Sequence, residues 1–308
     1  MRVVKRDAID AVLPQLDVVG AMEAAFVAYA DGRCVVPPPG ELTFQDPPGD
    51  VHIKYGYVSG DDHYVVKIAS GFYDNPALGL SSCDGLMLVF AQRTGTLEAI
   101  LLDEGNLTDI RTAAAGAVCA RHLAPGVTRI GVFGSGIQAR RQLELLREET
   151  SCRDVIAWGR DGERLAAYAS EMGEIGYTVE TTTEPDAVTS SCNLIVTCTP
   201  STTPLVRASA LRAGTHVTAV GSDTPTKQEL ESAVVERADV VVADSLSQCA
   251  DRGEIHHASN AGTVVQLGDI VAGRVAGRTS DDQITVADLT GVAVQDVAIA
   301  TAVLKALG

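Results

Sequence analysis

Two lysines, an arginine, an aspartate and a glycine-rich turn are the groups in this chain whose types and spacing can do chemistry. Lys67 stands inside the apolar run Tyr64-Val-Val-Lys67-Ile-Ala, where a lysine seldom lies without a partner. Desolvation lowers an ammonium's pKa toward neutrality, where it can take or give a proton; a lysine snorkelling from an edge strand is the other reading. His52 and Lys54 alternate in Val51-His-Ile-Lys-Tyr55 and therefore share one strand face. Arg111 lies near the start of an alanine-rich helical stretch, Thr108-Asp-Ile-Arg111-Thr112-Ala-Ala. A cation in a first helical turn opposes the dipole. Arg111 is thus either a fork for a substrate carboxylate or a plain surface arginine. Asp223, in Gly221-Ser-Asp223-Thr-Pro-Thr-Lys227-Gln-Glu229-Leu, follows an apolar run that ends at Val220. Ligands of doubly wound sheets lie beyond the carboxyl ends of strands. Asp223 is therefore either an acid/base or the N-cap of a following helix, with Pro225 in its first turn.

The turn is Gly134-Ser135-Gly136-Ile137-Gln138-Ala139, entered from Ile130–Phe133 and followed by a helical segment to Glu149. This is the strand–turn–helix of a dinucleotide site. Gly134 allows the tight turn, Gly136 lets backbone approach a pyrophosphate, and the small Ala139 allows close helix–strand packing. The helix N-terminus offers N–H groups and a positive dipole end. At the end of the next strand the chain reads Ala157-Trp-Gly-Arg160-Asp161. Arg160 suits the 2′-phosphate of NADP, Asp161 keeps NAD open, and both can instead be solvated turn charges.

These groups need elements to carry them. Residues 7–31 show helical spacing, and Cys34 through Gly40, with three prolines, is extended. Short apolar runs at 51–57, 63–69, 85–91 and 97–103 read as strands joined by turns, and Thr108–Leu123 as a helix. From Gly134 onward, apolar runs at 154–158, 177–182, 194–198, 216–220 and 240–243 alternate with helical spacers, as in a parallel sheet. Residues 264–272 and 295–307 read as helices, and 284–289 as a strand. The fold class expected is α/β, a Rossmann-type doubly wound parallel sheet plus an α+β substrate and dimerisation domain. A net charge of −16 argues against nucleic-acid and membrane surfaces. Seven scattered cysteines with no CxxC pair suggest reduced thiols in the cytoplasm, with no metal.

Lys67, Asp103 through Ala114, Gly134 through Ala139, Gly221 through Leu230, and Asp288-Leu-Thr290-Gly-Val-Ala-Val-Gln295-Asp296 stand in that order. In these motifs the chain resembles the ornithine cyclodeaminase/mu-crystallin family from end to end. The resemblance implies a substrate-binding, homodimer-forming domain over 1–113, completed by 287–308, and a dinucleotide domain over 114–286. It implies NAD(P)-dependent chemistry at C–N bonds, the work of cyclodeaminases, alanine dehydrogenases and imine reductases. Lys67 and Arg111 match positions that hold the substrate carboxylate. Asp223 matches the catalytic aspartate, with Lys67 as the other proton carrier. Lys227 and Thr290 match positions near the nicotinamide. Thr112, Ser135, Ile137, Gln138 and Thr199 join Gly134, Gly136, Ala139 and Arg160 in the cofactor set.

The chain also departs from the family's ornithine-using members. They carry an arginine after the proline-rich stretch, where this chain has Pro39-Gly40-Glu41. They carry an acidic residue thirteen positions before the lysine, where this chain has Lys54. A lysine there repels a distal ammonium. Lys54, with His52 nearby, either binds a second substrate carboxylate or stands in for the missing arginine. The expected function is an NAD(P)H-dependent reductase of a small α-imino acid, including a dicarboxylic one such as iminosuccinate, giving an L-amino acid. A cyclodeaminase, an alanine-type dehydrogenase and a crystallin-like NADP(H)-binding protein are the alternatives. The cofactor is NADP(H) or NAD(H), with Arg160 leaning toward NADP(H). The partners expected are a small anionic imino or amino acid and a second copy of the chain.

Overall fold

The computed structural model describes residues 1–308 except Tyr73 and Pro125. The chain divides into two compact units, Met1–Arg111 with Val292–Gly308, and Thr112–Gly291.

The first unit contains β1 (Arg2–Lys5), α1 (Arg6–Val12), α2 (Val18–Ala30), β2 (Cys34–Val35), β3 (Gly40–Gln45), β4 (Pro48–Val58), β5 (His63–Gly71), β6 (Cys83–Ala91) and β7 (Leu97–Leu102). Its strands form one sheet in the order β1-β7-β6-β5-β4-β2, with β3 also on β4. The β1–β7 pair is parallel and the rest antiparallel. β2 and β3 are two pieces of one edge, interrupted where Pro37–Pro39 have no N–H for the ladder. β1 and β3 are strands that hydropathy did not flag. β3 is exposed along most of its length, so burial leaves no period in it.

Alternation divides the sheet into two faces. His52, Lys54, Val58, Val65, Lys67, Met87, Val89, Ala99 and Leu101 are buried on one. That face is covered by the last helix of the chain, Ala293–Leu307, whose Val294, Val297, Ile299, Ala300 and Val303 are buried, and α2 packs against that helix. Each of these valines and the isoleucine contributes roughly 1.5–3 kcal/mol on burial. The other face carries Val51, Ile53, Tyr55, Val66, Ile68, Leu86, Leu88 and Ile100, which stay partly or fully exposed.

α3 (Asn106–Leu123) starts two residues earlier than its pattern suggests, and the division of the chain into two units falls within it. The second unit continues with β8 (Ile130–Phe133), α4 (Ile137–Glu149), β9 (Asp154–Trp158), α5 (Gly162–Glu174), β10 (Thr178–Thr182), α6 (Pro185–Thr189), β11 (Leu194–Thr197), β12 (His216–Ala219), α7 (Ser232–Arg237), β13 (Val240–Ala243), α8 (Leu246–Asp251), β14 (Val264–Gln266), α9 (Leu267–Val271) and β15 (Thr285–Asp288). The chain's last helix, already described, is α10 (Ala293–Leu307).

The eight strands of this unit form an all-parallel sheet, β10-β9-β8-β11-β12-β15-β13-β14. Ile130, Val132, Val155, Ala157, Leu194 and Val196 pack in one core with α4 and α5. Phe133, Ile156, Trp158 and Ile195 pack in another with α6 and α7. Alternate residues of the same strands thus feed two cores, which defines a doubly wound, Rossmann-type sheet. β15 is an interior strand between β12 and β13, so residues 287–291 belong with this sheet and not with the first unit. Residues 264–272 are not one helix: Val264–Gln266 pair with β13 as an edge strand before α9 begins.

Candidate active site

In the first unit, Lys54 and Lys67 face each other directly in the β4–β5 ladder. Like charges at such a position repel across roughly 5 Å. α10 supplies the counter-charge. Asp296 Oδ2 lies 3.6 Å from Lys67 Nζ, and Arg111 Nε donates to Asp296 Oδ1 at 3.0 Å. Arg111 Nη1 donates to Gln295 Oε1 at 3.3 Å, and Gln295 Nε2 donates back to the Arg111 carbonyl at 3.3 Å. The group is almost dry: relative exposure is 7% at Lys54, 2% at Lys67, 4% at Arg111 and 1% at Asp296. Burial pulls the Lys67 ammonium down to about 7; Asp296 opposes this, while Arg111 and Lys54 add to it. Asp103, whose Oδ2 accepts the Leu107 N–H at 2.8 Å, is pushed up to about 6 by burial.

Two of the alternatives fall here. Arg111 is a buried, ion-paired side chain, not a surface one, and it lies in the second turn of α3, beyond the strongest reach of the dipole. Lys67 cannot snorkel from an edge, because β5 is flanked by β4 and β6. His52 shares the buried face with Lys54, yet its ring nitrogens lie 3.6 Å from Glu41 and 3.5 Å from Asp50. The electrostatic sign therefore changes along β4, from carboxylates beside His52 to cations beside Lys54.

In the second unit, Gly134 has φ +122, and a Cβ there would press on Cys198 and Thr199. Gly136 opens α4 with no side-chain cap, and a Cβ there would meet nothing within 4 Å. The α4 N-terminus therefore presents uncapped N–H groups to open space beside Ser135, Ile137 and Gln138. Arg140 braces the turn from behind, donating to the Ser135 and Gly136 carbonyls while paired with Glu171. Ala139 is fully buried, and its carbonyl accepts the Tyr168 hydroxyl at 3.1 Å.

Past β9, Asp161 is occupied as the N-cap of α5, accepting from Glu163 and Arg164 N–H at 3.0 and 3.1 Å. Arg160 beside it is exposed, with no ion-pair partner among the described residues. Thr112, half-buried, accepts at its carbonyl from Gln142.

The loop after β12 holds an Asp223–Lys227 ion pair at 2.8 Å. No helix follows Asp223 directly: α7 begins at Ser232, so Asp223 does not cap it. Thr290 is buried; its hydroxyl donates to Asp244 Oδ1 and accepts from Gln248 Nε2, both at 3.1 Å.

Four site neighbours escaped the sequence reading as individuals: Gln295, Asp296, Glu229 and Asp244. Gln295, Asp296 and Glu229 lie within the motifs already singled out. Only Asp296, at a buried position of a largely apolar helix, carries a local signal, since a buried carboxylate needs a partner. No cluster of His, Cys, Asp and Glu among the described residues is set to hold a metal ion, and no single helix is long and apolar enough to cross a membrane.

Known proteins resemble this chain over nearly its whole length. An uncharacterised cyclodeaminase of Sinorhizobium fredii is 43% identical, over 93% of this chain and 89% of its own length. Among solved structures, an archaeal alanine dehydrogenase dimer with bound NAD superposes with a TM-score of 0.89 at 31% identity, covering 99% of this chain and 95% of that one. The iminosuccinate reductase of Paracoccus denitrificans, in complex with NAD+, gives a TM-score of 0.86 at 30% identity, over 99% and 95%. Residues 2–307 match the ornithine cyclodeaminase/mu-crystallin family, and the chain belongs to it.

Proposed function

We propose that this chain is an NAD(P)H-dependent reductase of a small α-imino acid, forming an L-amino acid, and that its preferred substrate is dicarboxylic. The observation that carries this reading is the buried cluster in which Lys67 and Arg111 share Asp296, with Lys54 directly across the ladder from Lys67. Buried cations are costly unless a counter-charge meets them. A substrate carboxylate against Arg111 and Lys67 offsets that cost, and Lys54 offers a partner for a second one. With an ammonium pulled to about 7, Lys67 can hold or release a proton at the substrate nitrogen, and Asp223 is the family-matched alternative for that role.

The cofactor's fit rests on the open space at Gly136 and the uncapped α4 N-terminus, which suit a pyrophosphate. Gly134, Ser135, Gly136, Ile137, Gln138 and Ala139 would hold it, with Thr112, Arg160, Thr199, Lys227 and Thr290 as the further contacts. When bound, the reduced nicotinamide supplies the hydride for the imine carbon. The protein's own share is positioning, water exclusion and the proton.

The partly exposed apolar face of the first unit's sheet, extended by Leu42 and Phe44 on β3, fits a second copy of the chain. Sedimentation as a dimer is the expected result, and a monomer at micromolar concentration would overturn it. A cyclodeaminase is the second reading, because Glu41 and Asp50 beside His52 offer carboxylates to a distal amine.

The test follows nicotinamide oxidation, with NADPH and NADH in parallel, on oxaloacetate plus ammonia, pyruvate plus ammonia or methylamine, and a cyclic ketimine. Ornithine with oxidised cofactor runs alongside. Turnover is expected with the oxaloacetate mixture, and Lys54→Ala should lower its kcat/KM about thirtyfold or more, as expected for losing a desolvated charge partner. Ornithine turnover with ammonia release would overturn the dicarboxylate reading.

A further inference from the structure

Glu229 is completely buried and joins two loops that the sheet order places side by side. One follows β11 and carries Thr199; the other follows β12 and carries Gly221, Asp223 and Lys227. Glu229 Oε1 accepts the Thr199 N–H at 2.6 Å and the Thr199 hydroxyl at 2.7 Å. Its Oε2 accepts the Gly221 N–H at 3.0 Å. A Cβ on Gly221 would run into the Thr199 carbonyl and the Glu229 carboxylate, so the two loops are in backbone contact around this one side chain.

Glu229 is itself anchored. Glu254, also buried, accepts the N–H of Glu229 at 2.7 Å and of Leu230 at 3.0 Å. The backbone at 229–230 is therefore fixed by Glu254, and the Glu229 side chain reaches up to both loops. Nucleotides of doubly wound sheets lie in the crevice outside the carboxyl ends of the strands, where these loops start. An error of about 1 Å in such a crevice can cost a hundredfold.

We propose that Glu229 is a positioning residue of the dinucleotide site, setting the spacing of the Thr199 and Gly221 loops by accepting from both. The proposal rests on the dinucleotide reading above, but not on any choice of substrate. A shorter side chain cannot span both loops, and an amide turns one acceptor into a donor facing an N–H.

The experiment titrates NADH and NADPH into the full chain and reads quenching of Trp158, the chain's one tryptophan, at the end of β9. The same samples are melted without cofactor. Glu229→Gln and Glu229→Asp should each weaken binding about ten- to hundredfold, as expected for buried donors left unmet, with neither variant rescuing the other's loss. A role confined to satisfying buried N–H groups would lower the melting temperature and leave the dissociation constant within about twofold of wild type. That result would overturn the proposal. Should both variants fail to fold, Gly221→Ala keeps Glu229 and pushes the loops apart: weakened binding supports the proposal, and wild-type binding overturns it. A wild-type chain that binds neither nucleotide would instead remove the dinucleotide reading itself.

Discussion

Where the first unit buries charge, side chain meets side chain: Lys67 and Arg111 converge on Asp296, with Lys54 across the ladder from Lys67. Where the second unit buries acidic groups, carboxyl meets backbone: Glu229 takes N–H groups from Thr199 and Gly221, Glu254 from Glu229 and Leu230, and Asp288 from Ile255. The first arrangement packs several ionisable side chains around one carboxylate in a nearly dry cluster. The second fixes loops, because a carboxylate that accepts from two backbone segments sets the distance between them. One region brings ionisable side chains together and the other holds a shape.

The largest effect should come from breaking the first arrangement. Arg111→Ala strips Asp296 of its hydrogen-bonded partner inside a dry cluster, a change that costs about 3–5 kcal/mol. Urea unfolding monitored by Trp158 should show it, together with near-complete loss of turnover. The matching change in the second unit is Asp288→Asn. Burial pushes the Asp288 carboxyl up to about 8, so it is protonated at neutral pH, and a neutral isostere should cost less than about 1 kcal/mol there. Equal losses in the two variants would erase the distinction between the regions.

The difference between the two regions also decided what could be read from sequence. The glycine turn is local: strand, Gly134, Gly136 and the start of α4 are adjacent, so the geometry follows from residue types within one short segment. Lys67 announces itself because its apolar neighbours demand burial. Asp296 meets Arg111 across 185 positions, and no spacing rule links them. Glu229 is harder still, since a glutamate two residues from a lysine in a polar loop reads as solvated. Three-residue β14 and exposed β3 failed for a simpler reason, that neither is long or buried enough to leave a period.

A pH series separates the regions further. Lys67 falls to about 7 in the folded state from roughly 10.4 unfolded. Between these values the unfolded chain binds more protons, so this group makes stability rise with pH from about 7 toward 10. Glu229 and Asp288 are raised to about 7 and about 8. Between roughly pH 4 and those values the folded state binds more protons, so they make stability fall as pH rises. Each slope is at most about 1.4 kcal/mol per pH unit. Denaturation midpoints measured from pH 5 to 10 should lose the alkaline rise in Lys67→Met and flatten the neutral fall in Asp288→Asn. A Lys67→Met curve parallel to wild type would show that the ammonium is not held down by burial.

The smallest effect is expected at Arg160, a charged candidate cofactor contact on the surface. Arg160 is exposed, and Asp161 beside it is committed to the α5 N-terminus through two backbone hydrogen bonds. A free guanidinium beside an occupied carboxylate favours a 2′-phosphate over a 2′-hydroxyl. Water screens such a pair, so Arg160→Ala should weaken NADPH only about three- to fivefold and leave NADH within experimental error. The NADPH effect should shrink further as salt rises from 50 to 500 mM, on the order of screening at the Debye length. If NADH weakens equally, Arg160 acts through the shape of the turn and not through its charge. If neither changes, it is a solvated turn residue, and discrimination between the two nucleotides lies elsewhere in the second unit.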